Sequence, residues 1–137
     1  MRYQLTDHTA DIGVLVSGAD LGELFENAVY AMSDIITDIR KVQGKKTHEI
    51  HITGDDWPDL MVNWLREILF LWAGRELLVK SAEVLRISEY ELTAKLDCES
   101  YDPDRHFIKN EIKAVTYHQI KVCAEPGGWK SEIIFDA

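Results

Sequence analysis

"DLGELFENAVYAMSDII" runs from Asp20 to Ile36, and its spacing decides how the rest of the chain is read. Leu21, Leu24, Phe25, Ala28, Val29, Met32, Ile35 and Ile36 recur at three- and four-residue intervals. That period stacks side chains on one face of an α-helix. Asp20 before the first turn and Glu23 within it read as a capping box, each carboxylate serving a backbone donor that the helix leaves free. A second helix is predicted from Pro58 to Ala73. Asp56 can cap it, Pro58 suits its first turn, and Gly74 can end it. Met61, Trp64, Leu65, Ile68, Leu71 and Trp72 form its apolar stripe. Leu60, Val62, Leu69 and Phe70 spill past that stripe, so cover on more than one side is expected.

Around these helices the pattern changes to strand. "VLVS" follows the opening residues, and "HEIHIT" places Ile50 and Ile52 on one face. "SAEVLRI" and "YELTAKLDCE" flank "SE", a hairpin signal. In the second of these, Tyr90, Leu92, Ala94, Leu96 and Cys98 alternate with Glu91, Thr93, Lys95, Asp97 and Glu99, which predicts a strand with one wet face. "EIKAVTYHQIKVC" and "WKSEIIFD" flank "AEPGG" and predict another hairpin. Residues 99–110, "ESYDPDRHFIKN", read as an exposed loop. No internal repeat, low-complexity segment or linker is visible. The expectation is a single α+β domain over residues 1–137, two-layered, with two amphipathic helices packed on a largely antiparallel sheet.

Composition narrows the function classes. At 137 residues the chain fits one domain, and a domain of that size buries about two-thirds of its unfolded surface without a disulfide or a structural metal. A hydrophobic fraction of 46% and a charged fraction of 28% are ordinary for a globular protein. Cys98 and Cys123 suggest no framework, and a reduced, cytoplasmic setting is expected. No apolar run approaches the ~18 residues of a membrane span, and no signal peptide is visible. Fifteen Lys and Arg stand against 24 Asp and Glu, a net charge of −9. Nucleic-acid binding draws affinity from cations that displace phosphate counterions, so strong direct binding to RNA or DNA is not expected. Such a charge either keeps the protein soluble or suits a basic protein partner.

The residues that could carry chemistry are few. There is no Gly-rich phosphate loop, no CxxC pair and no nucleophile elbow. His8, His48, His51, His106 and His118 are scattered, and a zinc site is not expected. In "DHTADIG", residues 7–13, His8 and Asp11 are open to three readings: a metal-hydrolase fragment, a histidine orienting a carboxylate, or a turn into the strand. Asp136 stands next to Ala137, and alone it reads as a solvated acid. If the two ends of the chain meet, Asp11, Asp136 and the terminal carboxylate of Ala137 converge. Such a cluster repels itself unless a cation neutralises it, and an all-oxygen set favours Ca²⁺, Mg²⁺ or Mn²⁺ over zinc. Lys113, beside Glu111, reads as an exposed lysine on a strand face shared with Val115 and Tyr117, and its plain reading is a weak surface pair with Glu111.

"DHTADIGV", "LMVNWLREILFLW", "EIKAVTYHQIKV" and the closing "IIFDA" together resemble the archease family, in order and over nearly the whole chain. The resemblance implies an accessory protein of RtcB-type RNA ligases, which join tRNA halves after intron removal. It implies promotion of ligase guanylylation and turnover, a broader nucleotide use, and no catalysis of its own. Asp11 matches the aspartate of the family's HTAD motif, and Asp136 with Ala137 matches its terminal metal-binding positions, so a divalent cation is implied, Ca²⁺ first, with Mg²⁺ or Mn²⁺ as alternatives. Lys113 matches the lysine of the E-[IV]-K-A-[IV]-T-Y segment and is implied to act in activating the ligase. Ala137 departs from the bulkier apolar residue common there, which leaves a backbone ligand intact. Two other readings stay open: a metal-dependent phosphoester hydrolase using His8 with Asp11 and Asp136, and a chaperone-like binding module. Turnover of a generic phosphodiester with metal and no ligase would favour the hydrolase.

Overall fold

The computed structural model describes residues 2–6 and 11–137, and the statements below concern these residues. They form strands β1 (Tyr3–Thr6) and β2 (Asp11–Gly18), helix α1 (Leu21–Ile36), a 3-10 turn (Ile39–Lys41), β3 (Lys46–Thr53), helix α2 (Trp57–Arg75), β4 (Leu77–Ser88), β5 (Glu91–Ser100), β6 (Ala114–Val115), β7 (Lys121–Glu125) and β8 (Gly128–Asp136). The α+β class and both helices match expectation. The strands divide into two antiparallel sheets, one in the order β1-β2-β8-β6 with β7 also on β8, the other β3-β5-β4. Each helix packs against strands of both sheets: α1 on β2, β8 and β4, and α2 on β3, β4, β6 and β7. That is why Leu60, Val62 and Leu69 are buried beyond the stripe, whereas Phe70, also expected to be covered, is exposed. Trp64 is fully buried, and its Nε1–H donates to the Phe25 carbonyl oxygen of α1 at 2.9 Å.

Contrary to the expectation of no repeat, the chain repeats itself once. The ten-residue pattern Gly-x-Asp-x-x-acid-Leu-x-x-Asn occurs at Gly18–Asn27 and again 36 residues on at Gly54–Asn63. Each element does the same work twice. Asp20 Oδ1 accepts from the Glu23 N–H and Asp56 Oδ1 from the Asp59 N–H, both at 2.8 Å. Asn27 Nδ2 donates back to the Ser17 carbonyl, and Asn63 Nδ2 to that of Thr53. A Cβ on Gly18 would lie 2.4 Å from the Leu24 nitrogen, and one on Gly54 2.6 Å from the Leu60 nitrogen. Strand and helix meet too closely there for any side chain. The topology repeats as well: β3-α2-β4-β5, with β5 between β3 and β4, mirrors β2-α1-β7-β8, with β8 between β2 and β7. The second unit is inserted inside the first.

Other local expectations need correction. α2 continues through Gly74 and ends at Glu76, which takes the left-handed conformation (φ 52) itself. Tyr90 lies in the β4–β5 turn with φ 57 rather than in the strand. The long strand predicted over "EIKAVTYHQIKVC" is two short ones, β6 and β7, interrupted by a turn in which Ile120 N–H bonds Tyr117 O and Gln119 has φ 53. Glu99 is buried, not wet, and the 99–110 loop is anchored rather than free. It closes the C-terminal end of α1: Lys109 N–H donates to the Ile36 carbonyl and Asn110 Nδ2 to that of Ile35, both at 2.7 Å. Helix ends leave such carbonyls unpaired, and α1 has no basic residue in its last turn to serve them.

Candidate functional site

The insertion brings the first and last long strands of the chain together. In the β2–β8 ladder Asp11 pairs directly with Asp136. On the other side of β8, Ala114 of β6 also pairs with Asp136. Lys113, one residue earlier, donates its backbone N–H to the Asp136 carbonyl at 2.7 Å. Asp11, Asp136, Ala137 and Lys113 therefore stand at one end of one sheet; the condition that the two chain ends meet holds, and the position of Lys113 beside them had no sign in the sequence. His8 and Asp7 lie outside the described residues, and so does the histidine half of the hydrolase reading.

Residues directly opposite in an antiparallel pair share a face, and like charges there repel. Asp11 and Asp136 are such a pair, with Asp136 exposed and Asp11 partly so. Their donor chemistry fits a hard divalent cation, which takes oxygen ligands and would relieve the repulsion. Among the described residues, no group of three or more His, Cys, Asp and Glu side chains is assembled for a metal. The two side chains would need further oxygens, from the Ala137 main chain or from a partner. Lys113 is exposed and, among the described residues, has no carboxylate within 4.0 Å; the weak pair with Glu111 does not form.

The segment after Lys113 is held to α2. Arg66 Nε donates to the Val115 carbonyl at 3.2 Å, and its guanidinium lies 4.8 Å over the Tyr117 ring. The Tyr117 hydroxyl donates to Asp59 Oδ1 at 2.5 Å. That hydrogen bond raises the Tyr117 pKa and lowers that of Asp59 from their ordinary values. These contacts give the Val and the Tyr of "IKAVTYH" a task, which is to keep the segment after Lys113 against the helix, while Thr116 bonds the Ile134 carbonyl of β8.

A second polar cluster was missed in the sequence. Glu99 accepts from the Gln43 N–H and from His106 Nε2, both at 2.9 Å, and from Arg105 Nη2; Lys45 Nζ stands at 3.6 Å. The His106 Nδ1 accepts from the Asp102 N–H at 2.9 Å, which leaves the proton on Nε2. Burial pushes the Glu99 pKa up, but the Gln43 N–H, His106 and Arg105 outweigh it and hold the carboxyl below its ordinary value. Strand alternation could not announce this, because the groups that bury Glu99 come from outside its sheet. The signal available was "DRH" following closely on "CES".

Comparison with known proteins gives a consistent picture. The sequence pattern of the Archease protein family (MTH1598/TM1083) matches residues 3–137. A protein archease of Methanosarcina mazei is 38% identical over 139 residues, covering 98% of this chain and 95% of the relative. That of Pyrococcus abyssi is 36% identical over 139 residues, covering 98% of each. The solution structure of Methanobacterium thermoautotrophicum protein 1598 superposes with a TM-score of 0.84 at 30% identity, covering 99% of both chains. A Thermotoga maritima archease, described as a "possible chaperone", superposes with a TM-score of 0.68 at 21% identity over 96% of this chain and 94% of that one, which is a likeness of fold.

Proposed function

This chain belongs to the archease family, and we propose that it is an accessory activator of an RtcB-type tRNA-splicing RNA ligase with no catalysis of its own. The observation that carries the reading is the meeting of Asp11, Asp136 and Lys113 at one sheet end. Two carboxylates that repel each other and a lysine without a carboxylate partner among the described residues do little for folding, since exposed ion pairs contribute ~0–1 kcal/mol. Their joint presence is better suited to a ligand.

In this reading Asp11 and Asp136, with a main-chain oxygen of Ala137, hold a divalent cation, Ca²⁺ before Mg²⁺ or Mn²⁺. When bound, the cation supplies a centre of positive charge for phosphate oxygens. Lys113 supplies another, on a long stem that reaches beyond the sheet end. Guanylylation gathers negative charge on a triphosphate, and positioned cations lower the cost of that charge. The β2–β8 ladder and the Lys113–Asp136 backbone bond hold the two aspartates and the lysine in register. An excess of carboxylates suits docking on a protein that carries basic surface to hold RNA. The protein is expected to act in the cytoplasm, and none of its described helices is long and apolar enough to cross a membrane.

The test is a ligase assay with purified RtcB-type enzyme, GTP and cleaved tRNA, with and without this protein. Faster guanylylation and multiple turnovers in its presence are the expected result. A ligase rate that does not respond, or turnover of phosphodiesters by this protein with metal alone, overturns the reading.

A further inference from the structure

The C-terminal end of α2 and the segment leading into β6 line a groove. Trp72, Tyr101, Ile108, Ile112, Glu76 and Glu111 line it, and the Trp72 and Tyr101 rings pack edge to face with centroids 5.4 Å apart. Its volume is about 390 Å³, within the usual size of a ligand site. Both glutamates are exposed and, among the described residues, neither has a cation within 4.0 Å.

Of the cations close by along the chain, Lys113 lies beyond 4.0 Å of either glutamate and the others are engaged elsewhere. Arg75 lies 5.7 Å over the Phe70 ring, Arg105 pairs with Glu99 and Asp102, and Lys109 reaches Asp34. The backbone adds to the negative potential, because Glu76 caps the C-terminal end of α2, where the helix dipole is negative. Glu76 also adopts φ 52, a conformation that glycine takes at lower cost. A carboxylate held there at the expense of backbone strain marks a position where the side chain is wanted.

We propose that this groove receives an arginine side chain from a basic segment of the partner ligase, its guanidinium meeting the Glu76 and Glu111 carboxylates and the Trp72 and Tyr101 rings that line it. Arginine fits better than lysine because its plane stacks on rings while its fork bonds carboxylates. Glu111 of the groove lies two residues before Lys113 of the candidate site along the chain. An anchor here would set the distance between the partner and the cation-binding end. The identity of the partner rests on the functional reading above; the chemistry of the groove does not.

Two measurements separate them. In the first, the Trp72 indole signal is followed by NMR as N-acetyl-argininamide is added, with the uncharged citrulline analogue as control. The arginine probe should shift it in the wild type, and the citrulline probe and the Glu76→Gln/Glu111→Gln variant should not respond. An unmoved Trp72 signal, or equal response to both probes, overturns the proposal. In the second, purified RtcB-type ligase is titrated with the same proteins. The double variant should bind at least tenfold more weakly, while Glu49→Gln/Glu83→Gln, which removes two carboxylates from the far sheet, should change affinity less than twofold. Equal affinity of the groove variant and the wild type, or equal losses in both variants, overturns ligase docking through this groove. A ligase that ignores the wild-type protein while the arginine probe is bound overturns the functional reading instead.

Discussion

Glu99→Gln tests how far a buried carboxylate organises the loop that closes α1. The substitution keeps the shape and keeps one oxygen, which can still accept from Gln43 N–H and His106 Nε2. It places an NH₂ where the other oxygen accepts from Arg105 and faces Lys45. Donor then faces donor. A hydrogen bond to a charged group contributes ~1.5–3 kcal/mol, and Arg105 is 34% exposed and can turn to water, which limits the loss. The expected cost is about 2–3 kcal/mol, a fall in Tm of roughly 10 °C for a domain of this size. The pH dependence gives the sharper check. Because the folded Glu99 titrates below its ordinary 4.5, its contribution is complete above that pH and is lost as pH falls through the lowered value. The Tm difference between wild type and variant should hold from pH 7 to pH 5 and close on further acidification. Thermal unfolding followed by circular dichroism measures it. Equal melting at pH 7, or a gap that persists unchanged in acid, would show that the cluster does not stabilise the fold in this way.

Asp11→Ala and Asp136→Ala should each weaken Ca²⁺ binding in calorimetric titration and leave the metal-free fold no less stable, since each removes one of two opposed like charges; unchanged affinity in both variants would end the case for the cation site. Lys113→Ala should melt within a few degrees of wild type and still bind metal, while stimulation of ligase guanylylation falls by roughly tenfold or more, the size of one lost transition-state charge contact. Full stimulation by that variant would return Lys113 to the status of an ordinary surface lysine. Gly18→Ala and Gly54→Ala should each cost more than about 2 kcal/mol in urea unfolding, because the new Cβ meets helix backbone in both places; a tolerated substitution at either would mean that the strand–helix junction can open.

The parts of this fold that could be read in advance were those where one residue type reports one environment. The apolar spacing of α1 and the alternation of β5 were clear because one face of each meets the core. The convergence of Asp11 and Asp136 was legible only as a conditional, since a ladder between distant strands leaves no local mark. The backbone turns at Glu76, Tyr90 and Gln119 were hidden for a different reason. Each has positive φ without the glycine that usually announces it. Glu99 was assigned to water because a strand's period says which side a residue faces and nothing about what covers that side. The repeat escaped because only the junction positions are kept. The core residues that fill the two units, such as Ala28 against Trp64, have been exchanged freely.

The nested arrangement of the two repeats also dictates an order of events during synthesis. Residues 46–100 contain every strand of the β3-β5-β4 sheet, so its hairpin can zip as soon as it is made. The other sheet has β8 at its centre, and β8 is translated after every other described strand. Until then β2 lacks its main partner, and the apolar face of α1 waits on a half-built layer. Pairings across so long a stretch of chain are slow to form. The junction of Asp11 with Asp136 closes with the final residues of that strand, so the proposed cation site would be complete only when the sheet is whole. A chain shortened by a few residues at its end would lose the ligand position together with the last rungs of the ladder. In the proposed reading, cation binding would thus report on the integrity of the fold as well.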